Sequence, residues 1–328
     1  MVIYNNILII QTAFIGDAIL ASSLAETLHA ALPQARITIL VRKGNEALYR
    51  NHPFLHDVMV WDKGEKKLKK LLHLLMKIRR ARFDCVINCH RYLSSGILSA
   101  FSGAGHIAGF KENPLSFMFN HTARHTIGDG AHEIQRYKRL VDDLISASPL
   151  PPRLYPTAED FESIRPLIGQ PFVCMAPASV WFTKQLPVEK WTELCNRVDK
   201  KLNVYLLGSA GDDTLCRRIT ASSSHPAVQV LAGSLTFLQS AALMKNAVMN
   251  YVNDSAPLHI ASSVNAPVTA FFCSTVPEFG FGPLSDVSEI KGVSDLPCRP
   301  CGLHGYKKCP LGHFKCGHDM PLPGAPAA

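Results

Sequence analysis

Three short clusters in this sequence combine a carboxylate, hydroxyls or a cation with small residues, each where an apolar strand pattern gives way to a helical one. The first is Gly16-Asp17. A carboxylate at a strand's C-terminal edge is placed to take a proton as a general base. It is placed equally well to cap the next helix or favour its dipole. The second cluster lies in the loop from Ala176 to Pro187, where Ser179, Thr183 and Lys184 supply hydroxyls and a cation. These are the parts of a phosphate cradle, and an ordinary polar loop with a solvated lysine is the alternative. The third runs from Asn253 to His259. Ser255 or Asp254 is expected to cap the following helix, and Pro257 suits its first turn. His259 then lies about one turn in, near the helix's positive end. An Asp, a Ser and a His crowded at one helix start point to an anion site, with a buried, satisfied histidine as the alternative.

The elements that must position these clusters alternate regularly. Ile7 to Ile10 is a continuous apolar run of the kind found in buried parallel strands. It leads through Gly16-Asp17 into a helix over 18–32. Further strands are expected at 37–41, 58–61 and 84–88, with a basic helix before the last of them. The segment from Ser146 to Pro156 has four prolines in eleven residues and reads as a linker. After it the pattern restarts, with strands at 172–175, 204–207, 247–252 and 267–272 and helices at 188–202, 235–245 and 256–264. Strand–helix alternation implies right-handed crossovers and a parallel sheet covered on both faces. The fold class is therefore α/β: two Rossmann-like, doubly wound domains, 1–155 and 156–328, facing a cleft. Such sheets bind ligands beyond the carboxyl ends of their strands.

The three clusters, in this order, resemble glycosyltransferase family 9, the lipopolysaccharide heptosyltransferases of the GT-B fold. Gly16-Asp17 followed by Ala18 to Leu24 resembles the family's N-terminal Gly-Asp segment. Ala176 to Pro187 resembles its donor phosphate loop. Leu206 to Asp213 and Leu231 to Leu235 resemble the segments flanking the nucleotide, and Asn253 to His259 resembles its Asp-Ser/Thr-Gly-x-x-His motif. The resemblance spans about residues 6 to 316. It implies an acceptor-side first domain, a nucleotide-sugar-binding second domain, and inverting, metal-independent transfer of a heptose from an ADP-sugar to a lipopolysaccharide core or lipid A-type acceptor. Asp17 would be the base. Lys184 would neutralise the departing diphosphate, aided by Ser179, Thr183, Asp254, Ser255, Ala256 and His259, and Asp213 would meet the ribose. At one motif position the family's usual glycine is Ala256, which adds a methyl group and disfavours positive φ. A nucleotide-sugar epimerase of the same fold and an inactive binding protein are the competing readings.

Ten cysteines fall into two groups. Cys85, Cys89, Cys174, Cys195, Cys216 and Cys273 are scattered, as expected of small packed hydrophobes. Cys298, Cys301, Cys309 and Cys316 form a tail cluster over 298–316, with His304, His313 and His318 nearby. These are the ligand types of a structural zinc site, but the spacing is unlike a regular zinc ribbon. Partial disulfides and unpaired packing cysteines are the alternatives. No cofactor is expected for catalysis.

The net charge of +8 is a local property. Residues 1–150 hold 19 Lys and Arg against 12 Asp and Glu, whereas residues 151–328 hold 15 against 14. Nine of the cations lie between Lys63 and Arg82, interleaved with leucines at helical spacing. A crossover helix with a solvated charged face accounts for them. So does a patch, including Lys66, Lys67, Lys69 and Lys70, that meets an anionic inner-membrane surface. The stretch has no aromatic residue to stack bases, which argues against nucleic acid. No apolar run reaches the roughly 20 residues of a membrane span. The start lacks a basic n-region and cleavage site. A cytoplasmic, peripherally bound protein is expected.

Overall fold

The computed structural model describes residues 4–324. The chain divides into two compact units, one ending at Tyr155 and the other beginning at Pro156.

In the first unit the elements follow as β1 (Asn6–Gln11), α1 (Ile15–Ala31), β2 (Arg36–Arg42), β3 (Leu55–Trp61), α2 (Lys67–Ala81), β4 (Cys85–Asn88), α3 (Leu93–Ala100), β5 (His106–Phe110), β6 (His121–Ala123) and α4 (Glu133–Arg139). The strands form one sheet in the order β3-β2-β1-β4-β5-β6, every pairing parallel. Ile7, central to it, pairs with Ile37 on one side and Cys85 on the other. Ile7 to Ile10 are fully buried, as helices on both faces require of a parallel sheet. Leu71, Leu74 and Ile78 of α2 pack on Leu8, Leu40 and Trp61. Full burial of each such side chain contributes about 1.5–3 kcal/mol.

The second unit repeats the plan: α5 (Ala158–Ile164), β7 (Phe172–Ala176), α6 (Val188–Arg197), β8 (Asn203–Leu206), α7 (Asp213–Ser222), β9 (Val228–Val230), α8 (Phe237–Asn246), β10 (Met249–Asn253), α9 (Ala256–Ser263), β11 (Val268–Phe271), β12 (Ser288–Lys291) and α10 (Lys315–His318). Its sheet runs β12-β11-β10-β7-β8-β9, again parallel throughout. Trp191, Leu194 and Cys195 of α6 meet Val173, Met175 and Phe271 in the core, and Phe314, Cys316 and Met320 of the tail join them.

Two expectations change. Residues 94–120, where the sequence pattern predicts no element, hold most of α3 and all of β5. Neither Ser255 nor Asp254 caps α9 with its side chain. The scattered cysteines are buried and unpaired, as small packed hydrophobes should be.

Candidate active site

Each sheet reverses its direction of growth at one place, between β1 and β4 in the first and between β7 and β10 in the second. Outside the carboxyl ends of such a strand pair, no crossover fills the space, and ligands bind there. All three sequence clusters fall at these two points.

At the first, β1 is joined to α1 by only Thr12, Ala13 and Phe14. α1 begins at Ile15, so Asp17 sits in its first turn rather than ahead of it. Burial raises the Asp17 carboxyl to about 6, and the negative charge of Glu133 adds to that. Hydrogen bonds from the backbone of Phe14 and Asp17 and the nearness of His125 oppose the rise. Glu133 opens α4, which packs on α1. Its carboxylate accepts from His125 Nε2 at 2.8 Å and from Arg136 at 3.0 Å. Burial pushes Glu133 up, but these two partners outweigh it and hold it below the usual carboxylate range. Arg136 and Arg139 both donate to Asp129, at 2.8 and 2.9 Å. Asp17 is thus the acid of this cluster with the higher proton affinity, and Glu133 stays charged beside it.

The neighbouring strand end closes the floor. Gln11 donates to the Cys89 carbonyl at 3.4 Å and to Tyr137 at 2.8 Å, and Thr12 meets His90 at 3.3 Å. Lys63 donates to the Thr12 carbonyl at 2.6 Å. Burial, together with Arg42 and Lys67, lowers its pKa to about 8.

The second switch point has a longer connection, residues 177–187 between β7 and α6. Asn253, at the end of β10, ties this loop down: its side chain donates to the Pro177 carbonyl at 2.8 Å and accepts from the Leu186 amide at 3.0 Å. Lys184 is thereby held with its ammonium 2.7 Å from Asp254, both largely buried. Asp254 also accepts from Thr275 at 2.6 Å. With its carboxylate turned to Lys184 and Thr275, Asp254 leaves the amides opening α9 without a side-chain cap. Ser255 makes only long contacts of 3.4 Å to the Ala178 and Asn253 carbonyls. Ser179 is half-buried, and its carbonyl accepts from Gln185 at 2.6 Å. A cation, an open helix N-terminus and hydroxyls gathered at one strand edge make an anion-binding surface.

The chain's middle and C-terminal portion, residues 71–310, matches the family model for glycosyltransferase family 9 (heptosyltransferase). The chain belongs to this family. It is 26% identical to lipopolysaccharide heptosyltransferase 2 of Escherichia coli K12, over 97% of this chain and 94% of that protein. It is 24% identical to lipopolysaccharide heptosyltransferase 1 of Pseudomonas aeruginosa, over 90% and 86% respectively. The solved structure of an E. coli ADP-heptose lipopolysaccharide heptosyltransferase II superposes with a TM-score of 0.77, at 21% identity, covering 96% of this chain and 98% of that one. The protein is a glycosyltransferase of GT-B fold.

Within this glycosyltransferase the other expected site residues separate. Ala256 opens α9 and is not among the residues with positive φ, so the alanine is not strained there. His259 is buried on α9, 6.4 Å from the ring of Phe281. Thr183 faces the tail segment. It is buried, its hydroxyl accepts from the Tyr306 amide at 2.7 Å and pairs with Ser274 at 3.0 Å, and its backbone bonds Tyr306 and Ser274. It fastens the loop to the tail. Asp213 starts α7 with its carboxylate on Arg217 at 2.7 Å, an exposed pair. Beside it, Asp212 accepts from the Ser209 amide and hydroxyl, both at 2.7 Å. Gly233, at φ +75°, lies where a Cβ would come within 2.8 Å of Ala210 Cα. Only glycine lets these two loops meet.

Thr275 and Gly305 were not singled out from the sequence, and Asn253 only as the start of the third cluster. At φ +79°, a side chain on Gly305 would strike Lys184 and Thr183 at 3.0 Å. The tail's backbone therefore lies directly on the lysine loop. Its four cysteines are unpaired. The Cys301 thiol donates to the Cys298 carbonyl at 2.8 Å, and Cys298 Sγ lies 3.8 Å from His313 Nε2. Burial raises the Cys316 thiol to about 11, and proximity to the other three sulfurs adds to it. Among the described residues, no three His, Cys, Asp or Glu side chains are gathered as a metal-ligand set.

Proposed function

We propose that this glycosyltransferase moves a heptose from ADP-heptose to a lipid-linked saccharide of the lipopolysaccharide type, with inversion at the anomeric carbon and no metal ion in the transfer step. The observation that carries this reading is Lys184. It is a cation held by a buried carboxylate 2.7 Å away, at the edge of the uncapped N-terminus of α9. Both features attract the charge that develops as a nucleotide diphosphate departs, the task a divalent ion performs elsewhere. The names of the relatives support the donor and the acceptor class.

In the proposed step the acceptor hydroxyl oxygen bonds to the anomeric carbon as the bond from that carbon to the diphosphate oxygen breaks. The hydroxyl proton passes to the Asp17 carboxylate, and the electron pair leaves with ADP. A carboxyl titrating near 6 is ionised at neutral pH yet basic enough to help. A single displacement inverts the centre. A retaining double displacement would need a carboxylate as nucleophile, and Glu133 is already engaged by His125 and Arg136.

The lipid of the acceptor puts the reaction at a membrane surface, proposed to be the cytoplasmic face of the inner membrane. Among the described residues no helix is long and apolar enough to cross a membrane. A structural zinc ion on Cys298, Cys301, Cys309 and Cys316 is a proposal that rests on ligand type. The sulfurs as they stand are not drawn together around it. Metal analysis of protein purified without a histidine tag decides the matter, with a zinc content near one per chain expected.

The donor is tested with a panel of ADP-, UDP- and GDP-sugars scored by thermal shift, followed by transfer in the presence of EDTA and assignment of the product's anomeric configuration. A preference for ADP donors with EDTA-insensitive inversion is expected. A preference for UDP donors would overturn the donor assignment.

A further inference from the structure

Helix α2 carries more apolar surface than its core contact uses. Leu71, Leu74 and Ile78 are buried on the sheet, and Leu75 is half-buried beside them. Leu68, Leu72 and Met76, spaced four apart, form a second stripe that points away from the core and is 69%, 52% and 50% exposed. A crossover helix needs only one apolar stripe. The second one leaves three large side chains in water on consecutive turns. Beside it runs a stripe of exposed Lys69, His73 and Lys77, one position further along each turn, with exposed Arg80 following Met76 by four. At the helix's far end Arg79 donates to the Phe101 carbonyl at 2.9 Å, and Phe101, itself 47% exposed, extends the apolar surface there.

The cations of this face are not consumed by the fold. Lys70 is paired with Asp62 at 2.8 Å. Among the described residues Lys66, Lys67, Lys69, Lys77 and Arg80 make no ion pair, and Glu65 is the single acid between Lys63 and Arg82. A surface complementary to this face must accept an apolar ridge and supply negative charge alongside it. A second copy of the same face meets the first requirement and fails the second, since it sets like charges together. A bilayer with anionic head groups satisfies both.

We infer that the outer face of α2 is a membrane-docking surface, in which Leu68, Leu72 and Met76 enter the head-group boundary of an anionic bilayer while Lys69, Lys77 and Arg80 lie along its phosphates. This deepens the reading of a lipid-linked acceptor and rests on it. It also shifts the weight of the interaction. The sequence directed attention to Lys66, Lys67, Lys69 and Lys70, whereas the structure adds an apolar component and removes Lys70 into an ion pair.

The test is co-sedimentation of the full chain with vesicles of phosphatidylcholine alone and of phosphatidylcholine with phosphatidylglycerol, without donor or acceptor. The wild type is expected to bind the mixed vesicles and not the neutral ones. L68S/L72S/M76S should lower the partition coefficient about tenfold or more, and K69Q/K77Q/R80Q about fivefold for each cation removed. K200Q/K201Q, with charges removed from the second unit, should leave it unchanged. All six target side chains are exposed, so unaltered thermal midpoints are expected and separate lost docking from lost folding. Equal binding to both vesicle types, or mixed-vesicle binding untouched by the ridge variant, overturns the inference. So does a wild-type dimer that the ridge variant dissociates, which would make a second copy the occupant. Transfer to a soluble, delipidated acceptor keeps the two readings apart: both variants should retain it, while transfer to vesicle-embedded acceptor should fall. Intact vesicle binding without transfer to either acceptor would instead count against the functional reading.

Discussion

The two switch points share a strand order and differ in electrical character. At β1 and β4 the connection to the helix is three residues long, and the acid it carries lies in the helix's first turn, desolvated and facing a second acid. At β7 and β10 the connection is eleven residues long, and the cation it carries is matched to a buried carboxylate. A short connection leaves a side chain no reach, so its environment must be brought to it. Glu133 and His125 do this from the far end of the unit's sequence. A long connection can fold its side chain back over the strand ends, but must then be fastened, which Asn253 and Thr183 do. In the proposed mechanism the first scaffold holds the group that takes a proton and the second the group that meets a departing anion.

The largest test of this contrast is Asp17→Asn. Loss of a general base is expected to cut transfer by about 10²–10⁴-fold, with ADP affinity unchanged by calorimetry. The folded Asp17 holds its proton more tightly than the unfolded chain does, so its contribution to stability is lost as pH rises from about 3.8 to about 6. The asparagine variant should consequently melt higher than wild type at neutral pH. In the wild type, kcat/KM should climb as pH rises through about 6. A variant that keeps full transfer would dissolve the contrast between the two sites.

Lys184→Ala comes next. Removing the cation should cost about 10²–10³-fold in kcat and also weaken ADP binding, which Asp17→Asn does not. Because the substitution leaves Asp254 charged and buried, Lys184→Ala/Asp254→Asn should recover stability but not rate. Thr183→Val is smaller and of a different kind. It strands the Tyr306 amide and the Ser274 hydroxyl, and a loss of about 1–3 kcal/mol in chemical denaturation is expected with ADP affinity kept. Weaker ADP binding without a loss of stability would return Thr183 to the donor site. The smallest effect belongs to Glu133→Gln. With the negative neighbour gone, the acid limb of the kcat/KM profile should move to lower pH by a fraction of a unit, while the plateau stays in place.

What could be read from the sequence was whatever is encoded within one connection. The continuous apolar strands announced themselves, and the residues of each junction are adjacent in the chain. β6, β9 and β12 are three or four residues long, too short for a periodic signal. β5, reading His-Ile-Ala-Gly-Phe, lay hidden because Ala and Gly break up its apolar run. The partners that set the chemistry were equally hidden. Glu133 is more than a hundred residues from Asp17, and Thr275 is 21 residues from Asp254. The helix cap failed for a related reason. Asp254 is a competent cap by type, but a buried cation offers its carboxylate more than an exposed amide does. The exposed stripe on α2 escaped because leucines at helical spacing look alike whichever side of the helix they occupy.

The stitching of the lysine loop to the tail bears on how the molecule can be cut and recombined. Thr183 and Tyr306 exchange hydrogen bonds, Cys301 donates to the Ser274 carbonyl, and Gly305 lies against Lys184. A chimera that grafts the lysine loop into another scaffold and leaves the last thirty or so residues behind would transplant the loop without the backing that shapes it. The graftable unit is discontinuous: one loop from the middle of the chain and one segment from near its end, inherited together.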